Sequence, residues 1–312
     1  MDGYNFYCRC PFKHSVSLEG SFIGKRIPIL LLGKYNGYVL FPISGEEEFE
    51  YHLFEPHIEG VESNDNCGEC SHSDTKLYPH FSSVCFLLDI DEINDNKITL
   101  EVIAEIERLT SKFVKLASLI NPDSIKWSLA RAEEYVEAII VAHRHTKLDK
   151  KEWTPLVHLC PYGIINSKEL TITEFWEIFR NLYKEIPLQY ELLADTYQCK
   201  VRYEYREAIL NCATIIEKTL KEQIGAYLDK ENTTSIIKEH ILKSADGFNK
   251  ILEVMKKFGI PSDNCGAIKK GTIDIRNRVI HGGLFPTKEE VDQAIEDAKL
   301  IIKHYNVPLF ID

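Results

Sequence analysis

The chain has 312 residues, of which 44% are hydrophobic and 11% aromatic, so it is long enough for two domains and can bury a core in each. This composition excludes a disordered chain and a low-complexity fibre. Its 37 Lys and Arg residues against 48 Asp and Glu residues give a formal net charge of −11. That charge argues against a protein that coats duplex nucleic acid or an anionic membrane indiscriminately.

The charge and the cysteines narrow the class of protein further. Residues 1–199 have a net charge of −12 and residues 200–312 a net charge of +1, so a phosphate-binding site is expected in the C-terminal third. The longest clearly apolar run is Ile27 to Leu32, and no basic stretch leads into an apolar one at the N-terminus. We therefore expect a cytoplasmic protein without a membrane partner. Nine cysteines in such a chain fit reduced thiols or metal ligands better than disulfides.

Residues 1–98 are predicted to form a β-rich domain. Short runs of β-branched and aromatic residues alternate with turn signals, which is typical of an antiparallel sheet, either a sandwich or an open barrel. The polar segment 62–76 is predicted to be a long loop or a hairpin insert.

Residues 99–186 are predicted to be a helical connecting region. Apolar residues recur at three- and four-residue spacing from Leu100 to Ile120, and a second helix is predicted over 123–143. A third is predicted over 173–183, with Thr173 as its N-cap.

Residues 187–312 carry only helical patterns and are predicted to form a small bundle. The longest predicted helix runs from Tyr205 to Leu228, and the last one starts with a capping box of Thr287 and Glu290. Another helix is predicted from Cys265 to His281, where two glycines follow. The predicted fold class is therefore α+β, with an antiparallel β-rich domain, attached helices and a C-terminal all-α bundle.

The helix before the two glycines has an arginine that needs a partner. Two stripes of residues are predicted along the surface of this helix. The first is the core face of the helix, and the second contains Ile273 and Ile280. Arg276 projects between the two stripes, whereas Arg278 points almost opposite, into solvent. A guanidinium at the edge of an apolar surface costs free energy unless it is paired or meets another chain. The residues of the core stripe are Ile268, Thr272, Ile275 and Val279.

His281 follows Arg276 by five residues, so the two side chains would be about 140° apart on a continued helix. They converge only if the helix ends or bends there, and Gly282 and Gly283 provide an ending. An Arg and a His at a helix terminus, with Asn277 beside them, can hold a phosphodiester, since Arg neutralises its charge and His moves protons. Such a site needs no metal and suits RNA, whose 2′-OH can act as the nucleophile.

The segment from Arg276 to His281 resembles the RX4-6H motif of the HEPN family of helical domains, in which a polar residue follows the Arg. The helix from Tyr205 to Leu228 also resembles the first long helix of these domains. The resemblance covers about residues 190–312. A subgroup whose motif ends in His-x-Tyr is paired with a nucleotidyltransferase antitoxin, but Gly283 stands in that position here, so that pairing is not expected.

The resemblance implies a homodimer through the C-terminal bundle that cleaves single-stranded RNA without a cofactor and leaves a 2′,3′-cyclic phosphate. Arg276, His281 and Asn277 carry over as catalytic residues, and Glu217 is a weaker match to an acidic residue that some members place near the Arg. Glu217 and Arg278 are assigned to binding. The layout resembles abortive-infection and toxin-type antiviral defence proteins, so we expect the N-terminal domain to respond to a phage or cellular trigger.

Two other interpretations of the same residues stay open. In the first, the bundle is a non-catalytic RNA- or nucleotide-binding and dimerisation module. In the second, the two motif residues only stabilise the fold: Arg276 pairs with Glu217 or another acid, and His281 caps the end of its helix.

Four cysteines of the β-rich domain have spacings that metal sites use. Cys8 and Cys10 form a CxC pair, and Cys67 and Cys70 form a CxxC pair, so four thiolates are predicted as a candidate structural zinc site. The alternative is that they are buried or surface thiols without a metal. A metal-dependent enzyme at these cysteines is disfavoured, because a site closed by four thiolates leaves no open position for a substrate.

Overall fold

The fold was analysed in a computed structural model that describes residues 6–22, 24–41, 43–44, 50–52, 66–73, 76–90, 96–126, 140–143, 146–147 and 168–310. The chain divides into two compact units, Met1–Tyr183 and Lys184–Asp312. The first unit combines an antiparallel sheet with helices and the second is helical, so the α+β class is confirmed. None of the helices in the described ranges is long and apolar enough to span a bilayer.

Ten strands of the first unit join in one sheet, and every pairing between them is antiparallel. The two longest strands lie at its centre, and the shorter strands pair outward from them. The strands are β1 (Phe6–Ser17), β2 (Arg26–Leu31), β3 (Tyr35–Leu40), β4 (Ile43–Ser44), β5 (Glu50–His52), β6 (Asn66–Ser73), β7 (Lys76–Leu88), β8 (Ile125–Lys126), β9 (Ile140–His143) and β10 (Thr146–Lys147).

Two sequence predictions for this unit have different outcomes. The described part of the polar segment 62–76 forms β6, which pairs with β7 as a hairpin, in agreement with the hairpin alternative. The helix predicted over 123–143 is wrong at both ends, because residues 125–126 form β8, residues 140–143 form β9, and both strands pair with β1. Residues 127–139 of that prediction lie outside the described residues.

Two helices belong to the same unit as the strands. Helix α1 (Asn96–Ile120) contains the helix predicted from Leu100 and packs on β1. Helix α2 (Ile172–Arg180) begins earlier than predicted, because Thr171 rather than Thr173 is its N-cap. The Thr171 hydroxyl accepts from the Glu174 backbone N–H, and the Glu174 carboxylate accepts from the Thr171 N–H, which completes a capping box.

Phe175 of α2 is the centre of an aromatic core in this unit. Its ring centroid lies 4.4 Å from that of Phe22, 5.6 Å from that of Phe41 and 5.5 Å from that of Phe113. Phe41 follows β3 directly and Phe113 belongs to α1, so one side chain ties α2 to both the sheet and the longest helix of the unit. An apolar cavity of about 40 Å³ borders the same ring.

The second unit is built around one long helix, α4, which packs against five other helices. One broad face of α4 is buried, including Ile209, Cys212, Ile216 and Leu220. Short connections and left-handed residues separate the helices. These are α3 (Leu188–Val201), α4 (Tyr205–Lys230), α5 (Ser235–Ser244), α6 (Phe248–Lys257), α7 (Cys265–Ile268), α8 (Asp274–Gly282) and α9 (Lys288–His304), with a π-helical segment at Lys269–Ile273.

Candidate functional site

The helix that carries the Arg and His of interest contains an interruption. A single helix was predicted over 265–281, whereas a π-helical segment separates α7 from α8, with Gly271 at φ −83° and ψ −106°. The predicted core stripe is nevertheless confirmed, because all four of its residues are buried. These are Ile268, Thr272, Ile275 and Val279.

A buried carboxylate of α9 holds the interruption in place. The Thr272 hydroxyl donates to Asp297 Oδ2 at 2.7 Å, and Gln293 Nε2 donates to Asp297 Oδ1 at 2.9 Å. A Cβ atom at Gly271 would lie 2.9 Å from Asp297 Oδ2, so glycine gives the carboxylate room to approach the backbone. These contacts fix the start of α8 against α9 just before Arg276.

The end of α8 lies one residue beyond His281. Gly283 adopts a left-handed conformation at φ 62°, and its N–H donates to the carbonyl oxygen of Arg278. The predicted ending at the two glycines is confirmed. However, His281 itself is still helical, so it remains about 140° around the helix from Arg276. In one chain the two side chains therefore point in different directions.

Arg276 is half-buried and contacts its neighbour in the sequence. Its Nη1 donates to Asn277 Oδ1 at 3.0 Å. His281 is exposed, and Ile280, which lies between Arg276 and His281 on the helix surface, is 45% exposed. Of the second stripe, which consists of Ile273 and Ile280, Ile273 lies in the core and Ile280 is exposed.

Arg278 projects into solvent, as predicted, and has an acidic partner. Its Nη2 lies 3.0 Å from Glu290 Oε1. Glu290 also accepts from the Thr287 backbone N–H, in the capping box predicted for the last helix and confirmed at the start of α9. Arg278 thus links the motif helix to α9.

Glu217 lies elsewhere in the bundle. It lines a groove of about 580 Å³ between α4 and α5, together with Lys218, Lys221 and Lys238. Within the described residues, no hydrogen bond or ion pair joins Glu217 to Arg276, so the structure does not bring these two predicted site residues together.

Arg206, at the start of α4, is a site residue that the sequence analysis missed. Its Nη2 donates to the carbonyl oxygen of Val279 at 3.4 Å, in the last turn of α8, where carbonyl groups lack helical partners. Its guanidinium also lies 5.4 Å from the ring centroid of Phe285. Arg206 therefore places a second guanidinium at the C-terminal end of the helix that carries Arg276 and His281.

The four arginines of the second unit fall into two classes, those with a carboxylate partner and those without one. Arg202 is ion-paired with Glu204, and Arg278 is ion-paired with Glu290. Among the residues that the structure describes, Arg206 and Arg276 have no carboxylate partner. A guanidinium group binds carboxylates and phosphates through the same planar set of N–H donors. The two arginines without an acid are thus Arg276 of the motif helix and Arg206, which donates to the last turn of that helix.

The predicted zinc ligands lie on strands whose register separates them. Phe81 of β7 pairs with Val16 of β1 and Gly68 of β6, so β7 lies between these strands. Cys10 pairs with Val84 and Cys70 with Pro79, which are about 17 Å apart along β7. Thiolates on one zinc ion lie within about 4 Å of each other.

This register favours the alternative of metal-free thiols for Cys8 and Cys10, which are both buried. Burial, the main cause, raises the pKa of the Cys8 thiol well above its usual value. Structural zinc remains a prediction, and elemental analysis of the purified chain tests it, since a zinc content near zero would remove it.

The thiols of the helical unit do not suit nucleophilic chemistry. Burial raises the pKa of Cys212 to about 12, and it raises the pKa values of Cys199 and Cys265 to about 11. These thiols stay protonated at neutral pH, and the thiolate is the nucleophilic form. Cys199, Cys212 and Cys265 are therefore not candidates for a thiolate nucleophile at neutral pH.

Comparisons of the chain with protein-family models, with curated proteins and with solved structures gave no match.

Proposed function

We propose that the chain is a metal-independent endoribonuclease that cleaves single-stranded RNA at Arg276 and His281. The observation that carries this proposal is the pair of arginines without a carboxylate partner in the described chain, Arg206 and Arg276, at a helix that ends in an exposed histidine. Unpaired guanidinium groups favour a phosphodiester ligand, and an exposed imidazole can accept and donate a proton.

The chemistry uses a nucleophile that the RNA itself supplies. His281 of one copy takes the proton from a 2′-OH, and the 2′ oxygen attacks the adjacent phosphorus. The bond from phosphorus to the 5′ oxygen then breaks, and His281 of a second copy returns a proton to that oxygen. Arg276 neutralises the negative charge that accumulates on the phosphorane. The products are a 2′,3′-cyclic phosphate and a 5′-hydroxyl.

The geometry of α8 supports a dimeric site. Arg276 and His281 are about 140° apart on one helix, so the two side chains of a single copy point in different directions, and a second copy would bring a histidine towards the arginine. Two motif helices that face each other would place both residues of each copy around a shared cleft. Ile280 is 45% exposed in the middle of this surface, and contact between two copies would bury it. A role in defence, with a trigger received by the first unit, completes the proposal.

One observation favours the second candidate, a non-catalytic RNA-binding and dimerisation module. Arg276 is hydrogen-bonded to Asn277, and within the described residues no contact links it to His281. A module of this kind would bind RNA through the arginines without turnover.

The His281→Ala substitution is expected to lower RNA cleavage by at least about 100-fold, because general acid–base catalysis contributes roughly 100- to 10,000-fold. The measurement is a time course with end-labelled single-stranded RNA in EDTA, using wild type and variant at matched concentrations. Size-exclusion chromatography with light scattering serves as the control and should give the same oligomeric state for both.

Equal cleavage by the two proteins would show that His281 is not the catalytic group. RNA binding without fragments from either protein would favour the non-catalytic module.

A further inference from the structure

Two exposed aromatic rings lie in the chain next to the start of α4 and to the end of the motif helix. Phe285, in the segment between α8 and α9, is 77% exposed, and Tyr203, between α3 and α4, is 72% exposed. Arg206 follows Tyr203 by three residues and lies 5.4 Å from the centroid of the Phe285 ring. Arg206 thus links the start of α4, just after Tyr203, to Phe285 and to the last turn of α8.

Tyr203 stands where the backbone disfavours a tyrosine. Its φ is 62°, and it follows the end of α3, where the Glu204 N–H donates to the Cys199 carbonyl oxygen at 2.9 Å. This is the left-handed position at which helices favour glycine. Four other helices of the unit end in the same way, and each uses glycine or asparagine. Those residues are Asn232, Gly259, Gly283 and Asn306.

The chain therefore keeps an aromatic ring at a position where it is strained and largely exposed. A left-handed conformation costs a bulky residue free energy that the fold does not recover by burying the ring. Within the chain the ring meets that of Tyr205, at a centroid distance of 6.0 Å, yet it stays largely exposed, and strain at such a position favours a contact outside the chain.

We propose that Tyr203 and Phe285 stack bases of single-stranded RNA, while Arg206 contacts the phosphate between them or beside them. Exposed aromatic rings with a neighbouring arginine are how proteins bind single strands without reading sequence, because every base has a face that can stack. Arg206 has no carboxylate partner within the described chain, so its remaining N–H groups are available to a phosphate.

This inference rests on the proposed function for the identity of the ligand. It adds the position of the RNA strand on the surface of the second unit. The stacked bases would flank the phosphodiester that reaches Arg276 and His281. A second copy of the chain is the other occupant that such rings could have. RNA is favoured because an arginine without a carboxylate partner in the described chain accompanies the rings, and a guanidinium group is suited to a phosphate.

The test measures the affinity of a fluorescent single-stranded RNA in EDTA, with His281→Ala as the parent protein so that the RNA stays intact. Phe285→Ala and Tyr203→Asn, each added to the parent, should raise the Kd by about 5- to 150-fold, which corresponds to the loss of one stacked base. Phe285→Trp and Tyr203→Phe, which keep a ring, should restore binding.

Tyr203→Asn also separates binding from folding. Asparagine suits the left-handed position, so this variant should unfold at the same temperature as the parent or a higher one while it binds RNA more weakly. A lower unfolding temperature would mean that Tyr203 has a structural role.

Three results would overturn the inference: an unchanged Kd in both ring-removing variants, no RNA binding by the parent, or a loss of oligomeric state on ring removal. Ring-dependent binding by a wild-type protein that never cleaves RNA would refute the ribonuclease and leave the stacking surface in place. If the wild type cleaves RNA and the Kd does not depend on the rings, the ribonuclease would stand and the stacking surface would be refuted.

Discussion

Arg276→Ala is expected to lower RNA cleavage by about 100- to 1,000-fold, which is the usual effect of removing one donor that stabilises a transition-state charge. Arg276 is half-buried, has no carboxylate partner in the described residues and contacts only its neighbour Asn277 by hydrogen bond. Its charge is therefore available to a phosphorane. The rate constant of cleavage at saturating RNA measures this effect separately from binding.

Two matched variants make the result specific. Arg276→Lys keeps the positive charge but loses the planar set of donors, so it should recover only part of the rate. Arg278→Ala removes the same charge two residues away, where the side chain is already paired with Glu290, and it should cost less than about tenfold through weaker binding. Equal losses in Arg276→Ala and Arg278→Ala would mean that only the total positive charge matters.

Phe175→Ala is expected to destabilise the first unit by about 3–5 kcal/mol, in the range of buried aromatic truncations. The ring is 1% exposed and contacts three other phenylalanine rings from separate parts of the unit. Its removal would enlarge the apolar cavity of about 40 Å³ beside it, so the loss includes both the transfer of the ring and the new empty space.

Urea unfolding followed by tryptophan fluorescence measures this change. The second unit has no tryptophan, and the Trp176 ring lies 5.6 Å from that of Phe175, so its signal reports on this core. Ile172→Ala, in the first turn of the same helix, is the control: Ile172 is 44% exposed, and its loss should stay within about 0.5 kcal/mol. Similar losses for both variants would contradict a core centred on Phe175.

Local sequence signals predicted most of the helices, because they depend on residues close together in the chain. The capping box of Thr287 and Glu290 and the glycine at position 283 fix the ends of α9 and α8, and both were predicted. The strand at 140–143 was predicted as helix because its apolar residues continue a helical spacing. Pairing with β1, more than a hundred residues away, decided the outcome instead.

The site depends more strongly on contacts that are distant in the sequence. Arg206 reaches Val279 across 73 residues, and the π-helical segment is held by a bond between Thr272 and Asp297 across 25 residues. No periodicity reports such contacts. The strain at Tyr203 is also invisible to periodicity, although a helix end that lacks both glycine and asparagine is a signal worth examining in other sequences.

The most direct test of the proposed chemistry uses a DNA oligomer that contains one ribonucleotide, incubated with the wild-type protein in EDTA. If the 2′-OH is the nucleophile, the protein will cut once, at the phosphate 3′ to the ribonucleotide, and leave a 2′,3′-cyclic phosphate and a 5′-hydroxyl. An all-DNA oligomer of the same sequence will stay intact. Cleavage of the all-DNA oligomer, or a product with a 3′-hydroxyl and a 5′-phosphate, would contradict the assignment of Arg276 and His281 to a metal-independent ribonuclease.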